Sequence, residues 1–238
     1  MYEQKVAAVY DEVYLGRGRD CAGDAKEVRE LVVDRFPEAV SLLDVACGTG
    51  AHLEAFRVLF GEVQGLELSA GMLDVARGRL PGVPLHQGDM REFALGRTFD
   101  VVTCMFSSIG HAGSVGGLEA ALRSFAAHVE VGGVIVIEPW WFPETFIDGY
   151  VKADVVGGAG RTVARLSHSA RVGDRSRVTV HYAVSDPGAG LSHATDEYMV
   201  SLFGQDQYEA AFCRAGCSVE YVAGGPNGRG WFVGMREF

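Results

Sequence analysis

Between residues 41 and 138, short apolar segments alternate with longer segments whose apolar residues recur at helical spacing. Strands separated by helices pair in parallel through right-handed crossovers, so this alternation predicts an α/β fold built on a doubly wound sheet. The predicted strands are residues 41–45, 63–68, 83–87, 99–106 and 134–138, and the predicted helices are residues 25–36, 49–60, 72–80 and 118–129.

The rhythm changes after residue 150, where strands follow one another through turns. Residues 162–169, 177–184 and 195–203 alternate in polarity, which is typical of an antiparallel sheet with one covered face. A helix at 207–215 and two strands at 218–222 and 231–235 then complete the first sheet. The pattern predicts a Rossmann-like, mostly parallel, seven-stranded sheet formed by residues 1–150 and 204–238, with residues 151–203 inserted as a small antiparallel sheet.

Composition excludes several classes of function. The net charge of −10 and the lack of a lysine-rich stretch argue against a nucleic-acid partner. The apolar runs are too short to span a bilayer, and charged residues in the first twenty positions do not resemble a signal peptide, so we expect no membrane partner and a cytoplasmic location. The 5 cysteines lack metal-ligand spacing, so we expect no metal, Cys213 and Cys217 included.

The strongest local motif is LLDVACGTG at residues 42–50, a buried strand that runs through a glycine turn into a helix. Gly48 and Gly50 allow a sharp bend and the close approach of a ligand. Glu67 ends the next strand at the distance from which a carboxylate reaches a ribose diol. Asp89 follows the third strand and could accept a hydrogen bond from an adenine amino group.

A dinucleotide site and a turn without a ligand are the alternatives for this motif. The dinucleotide fingerprint places a third glycine where this chain has Leu53. Asp44, near the start of the turn, suits a cationic ligand better than a pyrophosphate. Both points favour a ligand with a nucleoside and a cationic end.

These residues resemble the successive motifs of class I S-adenosylmethionine-dependent methyltransferases: residues 44–50, GLELS at 65–69 and QGDM at 87–90. Ala46 stands where many members have glycine, and we expect it to fit with a negative φ. The resemblance implies that S-adenosylmethionine is the cofactor.

Three further segments resemble bacterial enzymes that N,N-dimethylate dTDP-linked amino deoxysugars during antibiotic biosynthesis, the desosamine and mycaminose type of macrolides. They are CMFSSIGH at 104–111, VIEPWWFPE at 136–144 and GGPNGRG at 224–230. The resemblance runs over nearly the whole chain, and it implies an N-methyltransferase that forms a homodimer and acts on a dTDP-amino sugar. An O- or C-methyltransferase of another small molecule, or a non-catalytic or NAD-binding protein, remains the alternative.

The resemblance also assigns residues to the two ligands. The cofactor residues are Tyr10, Arg17, Gly18, Asp44, Ala46, Gly48, Gly50, Glu67, Leu68, Asp89, Met90 and Met105. The sugar-nucleotide residues are Tyr2, Trp140, Trp141, Arg165 and Arg229.

Three of these assignments have a chemical basis of their own. Arg229 has the planar fork that suits a phosphate, the alternative being a solvated turn arginine. Two adjacent tryptophans cannot share one strand face, so Trp140 or Trp141 should line a pocket. His111, expected at the end of the fourth strand, titrates near neutral pH and is the candidate general base or amine-positioning group.

Overall fold

The computed structural model describes residues 4–158 and 160–238. The helices are α1 (Gln4–Gly16), α2 (Cys21–Val33), α3 (Ala51–Leu59), α4 (Ala70–Arg79), α5 (Val115–His128) and α6 (Gln205–Arg214), with 3₁₀ helices at Ser108–Ala112 and Pro226–Gly228. The strands are β1 (Ser41–Val45), β2 (Glu62–Glu67), β3 (Leu85–Gln87), β4 (Phe99–Cys104), β5 (Val129–Ile137), β6 (Tyr150–Gly158), β7 (Arg161–Val172), β8 (Arg175–Asp186), β9 (Gly190–Ser201), β10 (Cys217–Val222) and β11 (Trp231–Arg236).

The first sheet has seven strands in the order β3-β2-β1-β4-β5-β11-β10. Strands β1 to β5 run parallel, and β11 pairs antiparallel with both β5 and β10. The predicted Rossmann-like, mostly parallel sheet is confirmed. The strand order reverses at β1, whose neighbours are β2 and β4, and ligands bind at the carboxyl ends of strands beside such a reversal.

Both faces of this sheet are buried. Residues 43, 45, 102 and 135 pack with α5 and α6 on one face, where Leu122, Phe125 and Phe212 are fully buried. Residues 42, 101 and 134 pack with α2 and α3 on the other, against Val28 and Phe56. Because successive side chains of a strand point to opposite faces, runs such as Leu42-Leu43 fill both layers at once.

The second sheet is a four-stranded antiparallel meander in the order β6-β7-β8-β9. Its inner face presents Val163, Val178 and Val180, which pack against Val9 and Val13 of α1. The predicted inserted sheet is therefore present. It also contains an unpredicted strand, β6, and it packs on an unpredicted helix, α1.

The second sheet contacts the first at the Ser108–Ala112 3₁₀ helix. A Cβ atom on Gly110 would lie 2.4 Å from Val200 Cγ1, so only glycine allows β9 to approach this closely. Nearby, Trp140 Nε1 donates a hydrogen bond of 3.2 Å to Ser176 Oγ of β8. The inserted sheet is thus held over the carboxyl ends of β4 and β5.

Among the described residues, no helix combines the length and apolarity needed to cross a membrane.

Candidate active site

The turn after β1 adopts a left-handed backbone at three positions. Gly48 and Gly50 have φ values of 58° and 79°, as a glycine turn requires. Ala46 has a φ of 59°, so the expectation of a negative φ is wrong. A Cβ atom on Gly48 would meet nothing within 4 Å, which leaves space beside the turn for a ligand.

Glu67 closes the turn from the neighbouring strand. Its Oε2 accepts a hydrogen bond of 3.0 Å from Gly48 N, and its Oε1 accepts one of 2.8 Å from Ser69 N. Burial raises the pKa of this carboxyl, while the backbone donors oppose the rise. Glu67 therefore connects the tip of β2 to the glycine turn, and its role toward a ribose remains a prediction.

Asp44 lies beneath the turn with 1% of its surface exposed. Thr103 Oγ1 donates a hydrogen bond of 2.9 Å to its Oδ1, whereas none of the described residues donates to the buried Oδ2. Burial raises the pKa of Asp44 to about 7. A buried carboxylate oxygen without a donor fits the cationic end of a ligand in the space beside Gly48.

A crevice opens beside the turn and brings several predicted residues together. Its lining consists of Ala46, Leu68, Gly88, Asp89, Met90, Arg91 and His111. The side chain of Arg91 forms hydrogen bonds to both carboxylate oxygens of Asp89, which lowers the pKa of that carboxyl. Met105 is 2% exposed and belongs to the apolar cluster under α2 and α3.

Helix α1 lies over the glycine turn. Thr49 Oγ1 of the turn donates a hydrogen bond of 2.5 Å to Asp11 Oδ1, and Arg79 of α4 pairs with the same carboxylate. The Tyr10 ring lies 4.5 Å from the Tyr14 ring between centroids. Gly18 turns the chain between α1 and α2 with a φ of 85°. Helix α1, which carries Tyr10, thus lies beside the glycine turn, and Arg17 and Gly18 directly follow this helix, whereas Tyr2 falls outside the described residues.

The same helix is bound to the inserted sheet. Arg161 Nη2 lies 2.6 Å from Glu12 Oε2, and Arg17 Nε lies 2.9 Å from Asp154 Oδ2. Helix α1 therefore bridges the cofactor turn and β6–β7.

His111 lies on the Ser108–Ala112 3₁₀ helix, not at the end of β4, which stops at Cys104. The prediction of strand through Phe106 is wrong because Phe106 and Ser107 turn the chain with φ values of 55° and 61°. The His111 ring centroid lies 5.6 Å from that of Tyr198 on β9. The His111 side chain is exposed at the mouth of the crevice. The surrounding protein nevertheless displaces water from the imidazole, and this desolvation lowers its pKa. The imidazole therefore favours its neutral form more than an ordinary histidine does.

Arg165 faces inward from β7 and is only 5% exposed. Its Nη1 donates a hydrogen bond of 2.9 Å to Ser167 Oγ and lies 3.8 Å from Asp154 Oδ2. No acceptor among the described residues reaches its buried Nε. A buried guanidinium with an unused donor is suited to bind an anionic group.

Arg229 was expected to be a phosphate-binding residue or a solvated turn arginine. It is more buried than either role requires, with 8% of its surface exposed. Its Nη2 donates to Glu138 Oε1 at 2.8 Å and to Ser107 Oγ at 3.0 Å, and its Nε donates to Pro139 O at 3.1 Å. The solvated-turn alternative is therefore wrong. The guanidinium carbon lies 5.6 Å and 5.3 Å from the ring centroids of Trp140 and Trp141, both of which are partly buried.

Sequence reasoning missed Glu138, Asp11 and Tyr198. A signal existed for Glu138, because a carboxylate directly after a buried strand and before Pro139 has no reason to be there unless it has partners. Asp11 and Tyr198 contact residues from distant parts of the chain. The residues adjacent to them in the sequence therefore do not indicate that they belong to the site.

Within residues 4–158 and 160–238, no cluster of three or more His, Cys, Asp or Glu residues could hold a metal ion. The open glycine turn, the acidic tip of β2 and the donor-free oxygen of Asp44 fit a ligand with a ribose and a cationic end. Together with the sheet order, they define an S-adenosylmethionine-dependent methyltransferase of class I.

Comparison with known proteins supports this class and narrows it. The family profile described as a methyltransferase domain matches residues 42–133. The chain is 59% identical, over 99% of both chains, to dTDP-3-amino-3,4,6-trideoxy-alpha-D-glucopyranose N,N-dimethyltransferase from Streptomyces venezuelae. It is 50% identical, over 100% of this chain and 95% of the relative, to dTDP-4-amino-2,3,4,6-tetradeoxy-D-glucose N,N-dimethyltransferase from Saccharopolyspora spinosa.

A solved structure agrees with these relatives. The structure of CalS10 with bound S-adenosylmethionine, an amino pentose methyltransferase of calicheamicin biosynthesis from Micromonospora echinaspora, superposes with a TM-score of 0.88. It is 48% identical and covers 99% of this chain and 98% of its own. The chain belongs to the family of N,N-dimethyltransferases of nucleotide-linked amino sugars, and it is an N-methyltransferase that uses S-adenosylmethionine.

Proposed function

We propose that this enzyme adds two methyl groups to the amino group of a dTDP-linked amino deoxyhexose during the biosynthesis of an antibiotic sugar, of the kind attached to macrolides. The observation that carries the proposal is the extent of the similarity. The 59% identity includes the inserted sheet and the C-terminal loop as well as the cofactor domain. The inserted sheet reaches His111, whose ring centroid lies 5.6 Å from that of Tyr198, and so would bear on the acceptor more than on the cofactor.

Residues at the carboxyl ends of β1, β2 and β3 would hold S-adenosylmethionine, which supplies an electrophilic methyl group when bound. Gly48 and Gly50 leave room for it, Glu67 would receive the ribose hydroxyls, and Asp89 would receive the adenine amino group. Ionised Asp44 would balance the positive end. Ala46, Leu68, Met90 and Met105 would complete the apolar wall, with Tyr10, Arg17 and Gly18 on the α1 side.

The acceptor must present a neutral nitrogen, because the lone pair forms the new bond to carbon as the bond from carbon to sulfur breaks. An alkyl amine is mostly protonated at pH 7, since the pKa of an ordinary ammonium is about 10.4. The neutral imidazole of His111 can take this proton and release it to solvent, or it can orient the free amine by a hydrogen bond. Orientation of the three atoms in line accounts for much of the rate in such transfers.

The nucleotide part would bind between the first sheet and the inserted sheet. Arg165, with its unused Nε, is suited to the diphosphate, and Trp140 and Trp141 supply flat apolar walls. Arg229 could offer a phosphate only the part of its guanidinium that Glu138, Ser107 and Pro139 leave free. Tyr2 is kept as a substrate residue on the family resemblance alone.

The proposal is tested by incubating the enzyme with S-adenosylmethionine and a panel of dTDP-3-amino and dTDP-4-amino deoxyhexoses, with mass spectrometry of the products. We expect one sugar to gain two methyl groups on nitrogen. A single methyl on oxygen or carbon would support the alternative small-molecule methyltransferase. Calorimetric titration with S-adenosylhomocysteine and NAD separates the cofactor classes, and binding of NAD alone would contradict the proposal.

The role of His111 is tested with His111→Ala and the control His86→Ala. His86 lies on the edge strand β3, where its ring contacts Gln64. If His111 takes the proton, turnover falls by about 100-fold or more in the first variant. Wild-type activity should also decline as the pH falls through the pKa of His111, which lies below the ordinary value for histidine, because protonation removes the base. A small loss without a change in pH profile would leave His111 a positioning role.

We also propose a homodimer and a cytoplasmic location. The outward faces of β6 and β7 expose Val151, Val155 and Leu166 by 70%, 73% and 58%, an apolar surface suited to a second copy of the chain. Cysteines 21, 47, 104, 213 and 217 are free, as expected in a reducing compartment. In this arrangement residues 151–203 would serve both substrate site and dimer, and residues 1–150 and 204–238 would bind the cofactor.

A further inference from the structure

A fully buried carboxylate, Glu138, lies directly after β5 and is 0% exposed. Its Oε2 accepts hydrogen bonds from Phe106 N at 2.7 Å and from Arg19 Nη2 at 2.8 Å. Its Oε1 accepts one from Arg229 Nη2 at 2.8 Å, with Arg19 Nη1 at 3.4 Å. The two oxygens therefore receive donors from three separate parts of the chain.

Each of these parts borders the proposed active site. Arg19 lies between α1 and α2, next to the helix that covers the cofactor turn. Phe106 begins the turn that leads to His111. Arg229 lies in the C-terminal loop, where its guanidinium is stacked near Trp140 and Trp141.

The turn at Phe106 and Ser107 needs such an anchor. Both residues are left-handed without being glycine, a conformation that is costly and persists only where surrounding contacts enforce it. Glu138 binds the Phe106 amide, and Ser107 Oγ donates a hydrogen bond of 2.8 Å to Pro139 O. The guanidinium of Arg19 also lies 4.4 Å from the Phe106 ring centroid.

The charges around Glu138 are balanced as a group. Arg19 Nε lies 2.7 Å from Asp24 Oδ2, and His52 Nε2 lies 3.1 Å from both that oxygen and Arg19 Nη2. Arg229 has no other carboxylate among its described contacts and depends on Glu138 for compensation. Removing this single charge would leave a buried guanidinium unpaired and release the turn at the same time.

We propose that Glu138 is a positioning residue for methyl transfer, which holds the turn before His111 and the guanidinium of Arg229 in one arrangement. The proposal rests on the proposed function, because His111 and Arg229 are assigned to the acceptor side there. Glu138 would touch no ligand and would act through the groups that it binds. Its effect should therefore fall on the acceptor and not on the cofactor.

The test compares Glu138→Gln and Glu138→Asp with the control Glu144→Gln. Glutamine keeps the shape and loses the charge, whereas aspartate keeps the charge and cannot reach all three donors. Glu144 is an exposed carboxylate on the same segment. For each variant we would measure kcat, the KM of the dTDP-amino sugar, the affinity for S-adenosylhomocysteine and hydrogen exchange at the Phe106 amide.

We expect both Glu138 variants to bind S-adenosylhomocysteine as the wild type does, and the control to match the wild type throughout. With kcat normalised to the binding-competent fraction, Glu138→Gln should lose about 100-fold, the scale expected when reacting groups are displaced by an ångström. The KM of the sugar should rise, and the Phe106 amide should exchange faster. Glu138→Asp should fold more readily and give a smaller change in the same direction.

Wild-type kcat and KM in either folded variant would overturn the proposal, as would equal losses of affinity for sugar and S-adenosylhomocysteine. If Glu138→Gln does not fold, Glu138→Asp decides the outcome. Failure of the wild-type enzyme to methylate any amino sugar would instead contradict the proposed function, and the exchange rate at Phe106 would still report whether Glu138 holds the turn.

Discussion

Among residues 4–158 and 160–238, three residues other than glycine have a left-handed backbone, Ala46, Phe106 and Ser107, and all follow the carboxyl ends of the central strands β1 and β4. These two strands flank the point at which the sheet order reverses. Backbone strain of this kind is kept where surrounding contacts enforce it, and it concentrates at functional sites. Here Ala46 lines the crevice, and Phe106 and Ser107 directly precede the 3₁₀ helix that carries His111.

The strain at Ala46 can be measured. A left-handed alanine costs about 1–2 kcal/mol relative to its ordinary conformation, and glycine avoids this cost. We expect Ala46→Gly to raise the free energy of unfolding by about 1 kcal/mol in urea titrations while leaving S-adenosylhomocysteine binding intact. Ala120→Gly, inside α5, is the control and should lower stability by about 1 kcal/mol. Destabilisation by Ala46→Gly would show that the methyl group contributes packing that outweighs the strain.

Asp44 should make cofactor binding depend on pH. Burial raises its pKa to about 7, so at pH 6 the carboxyl is mostly protonated and cannot balance a cationic ligand end. If only the ionised form binds, the Kd of S-adenosylhomocysteine falls by about tenfold from pH 6 to pH 8, and Asp44→Asn removes the dependence. Calorimetry across this range checks the effect, and an equal slope in Asp44→Asn would assign the titration to another group.

How well single residues could be predicted depends on where their partners lie. Asp44, Glu67 and Asp89 lie within two residues of the carboxyl ends of adjacent parallel strands, so the sequence alone places them at one edge of the sheet. Arg229 was predicted to face a phosphate, but its partner Glu138 lies 91 residues away, and no local pattern reveals that pair. The negative φ expected at Ala46 failed because the tightness of the turn outweighed the preference of alanine.

At the scale of elements, α1 determines how the site is covered. Adjacent carboxylates on this helix point to different parts of the molecule: Asp11 binds Thr49 and Arg79 of the cofactor domain, and Glu12 binds Arg161 of the inserted sheet. Among the side chains of α1 that the structure describes, Val9 and Val13 pack against the sheet, and these polar contacts add to what holds the helix. Charge-assisted hydrogen bonds of this type contribute about 1.5–3 kcal/mol each.

Loss of the Asp11 contacts should therefore speed ligand release. We expect Asp11→Ala to increase the dissociation rate of S-adenosylhomocysteine by roughly tenfold, equivalent to about 1.4 kcal/mol, in stopped-flow fluorescence. Asp74→Ala is the matched control, because Asp74 pairs with Arg77 on the exposed surface of α4. Unchanged release from Asp11→Ala would mean that α1 does not limit access to the cofactor turn.

The polarity of β6, a strand that the sequence did not predict, is unusual. Strand β6 exposes Val151 and Val155 on its outer face, while Asp154 on its inner face meets Arg17 and Arg165. A half-covered strand usually has apolar residues inside and polar residues outside, and these residues of β6 have the opposite arrangement. The alternation of polarity in this segment therefore does not indicate which face is buried. The short apolar runs of β1 to β5 were predictable because burial on both faces needs only continuous hydrophobicity.

At the scale of the whole molecule, the two faces of the inserted sheet differ in kind. The inner face combines valines with Arg165, Tyr182 and Asp154 above the crevice, whereas the outer face forms an open groove lined by Val151, Ala153 and Leu166 among polar residues. One sheet therefore contributes a polar wall to the proposed acceptor chamber and an apolar surface to a proposed subunit contact.

Charge on the outer face of β6, where Val155 continues the apolar row of Val151 and Ala153 in the groove, should separate the subunits. We expect Val155→Glu to convert the proposed dimer to a monomer in sedimentation velocity, because a carboxylate would be buried without a partner at the contact. Val58→Glu is the control, since Val58 is 83% exposed on α3, away from the inserted sheet. A wild-type monomer, or a dimer that tolerates Val155→Glu, would contradict the assignment of this groove.

The bridging position of α1 also affects whether the sugar stays bound between the two methylations. Two methylations consume two molecules of S-adenosylmethionine. S-adenosylhomocysteine must therefore leave, and a second S-adenosylmethionine must bind, while the sugar carries one methyl group. Helix α1 contacts both the cofactor turn and the inserted sheet. Displacement of this helix during the exchange would therefore also open the proposed sugar site. The singly methylated sugar should then escape into solution early in a time course and be recaptured later, a transient that rapid-quench sampling would reveal.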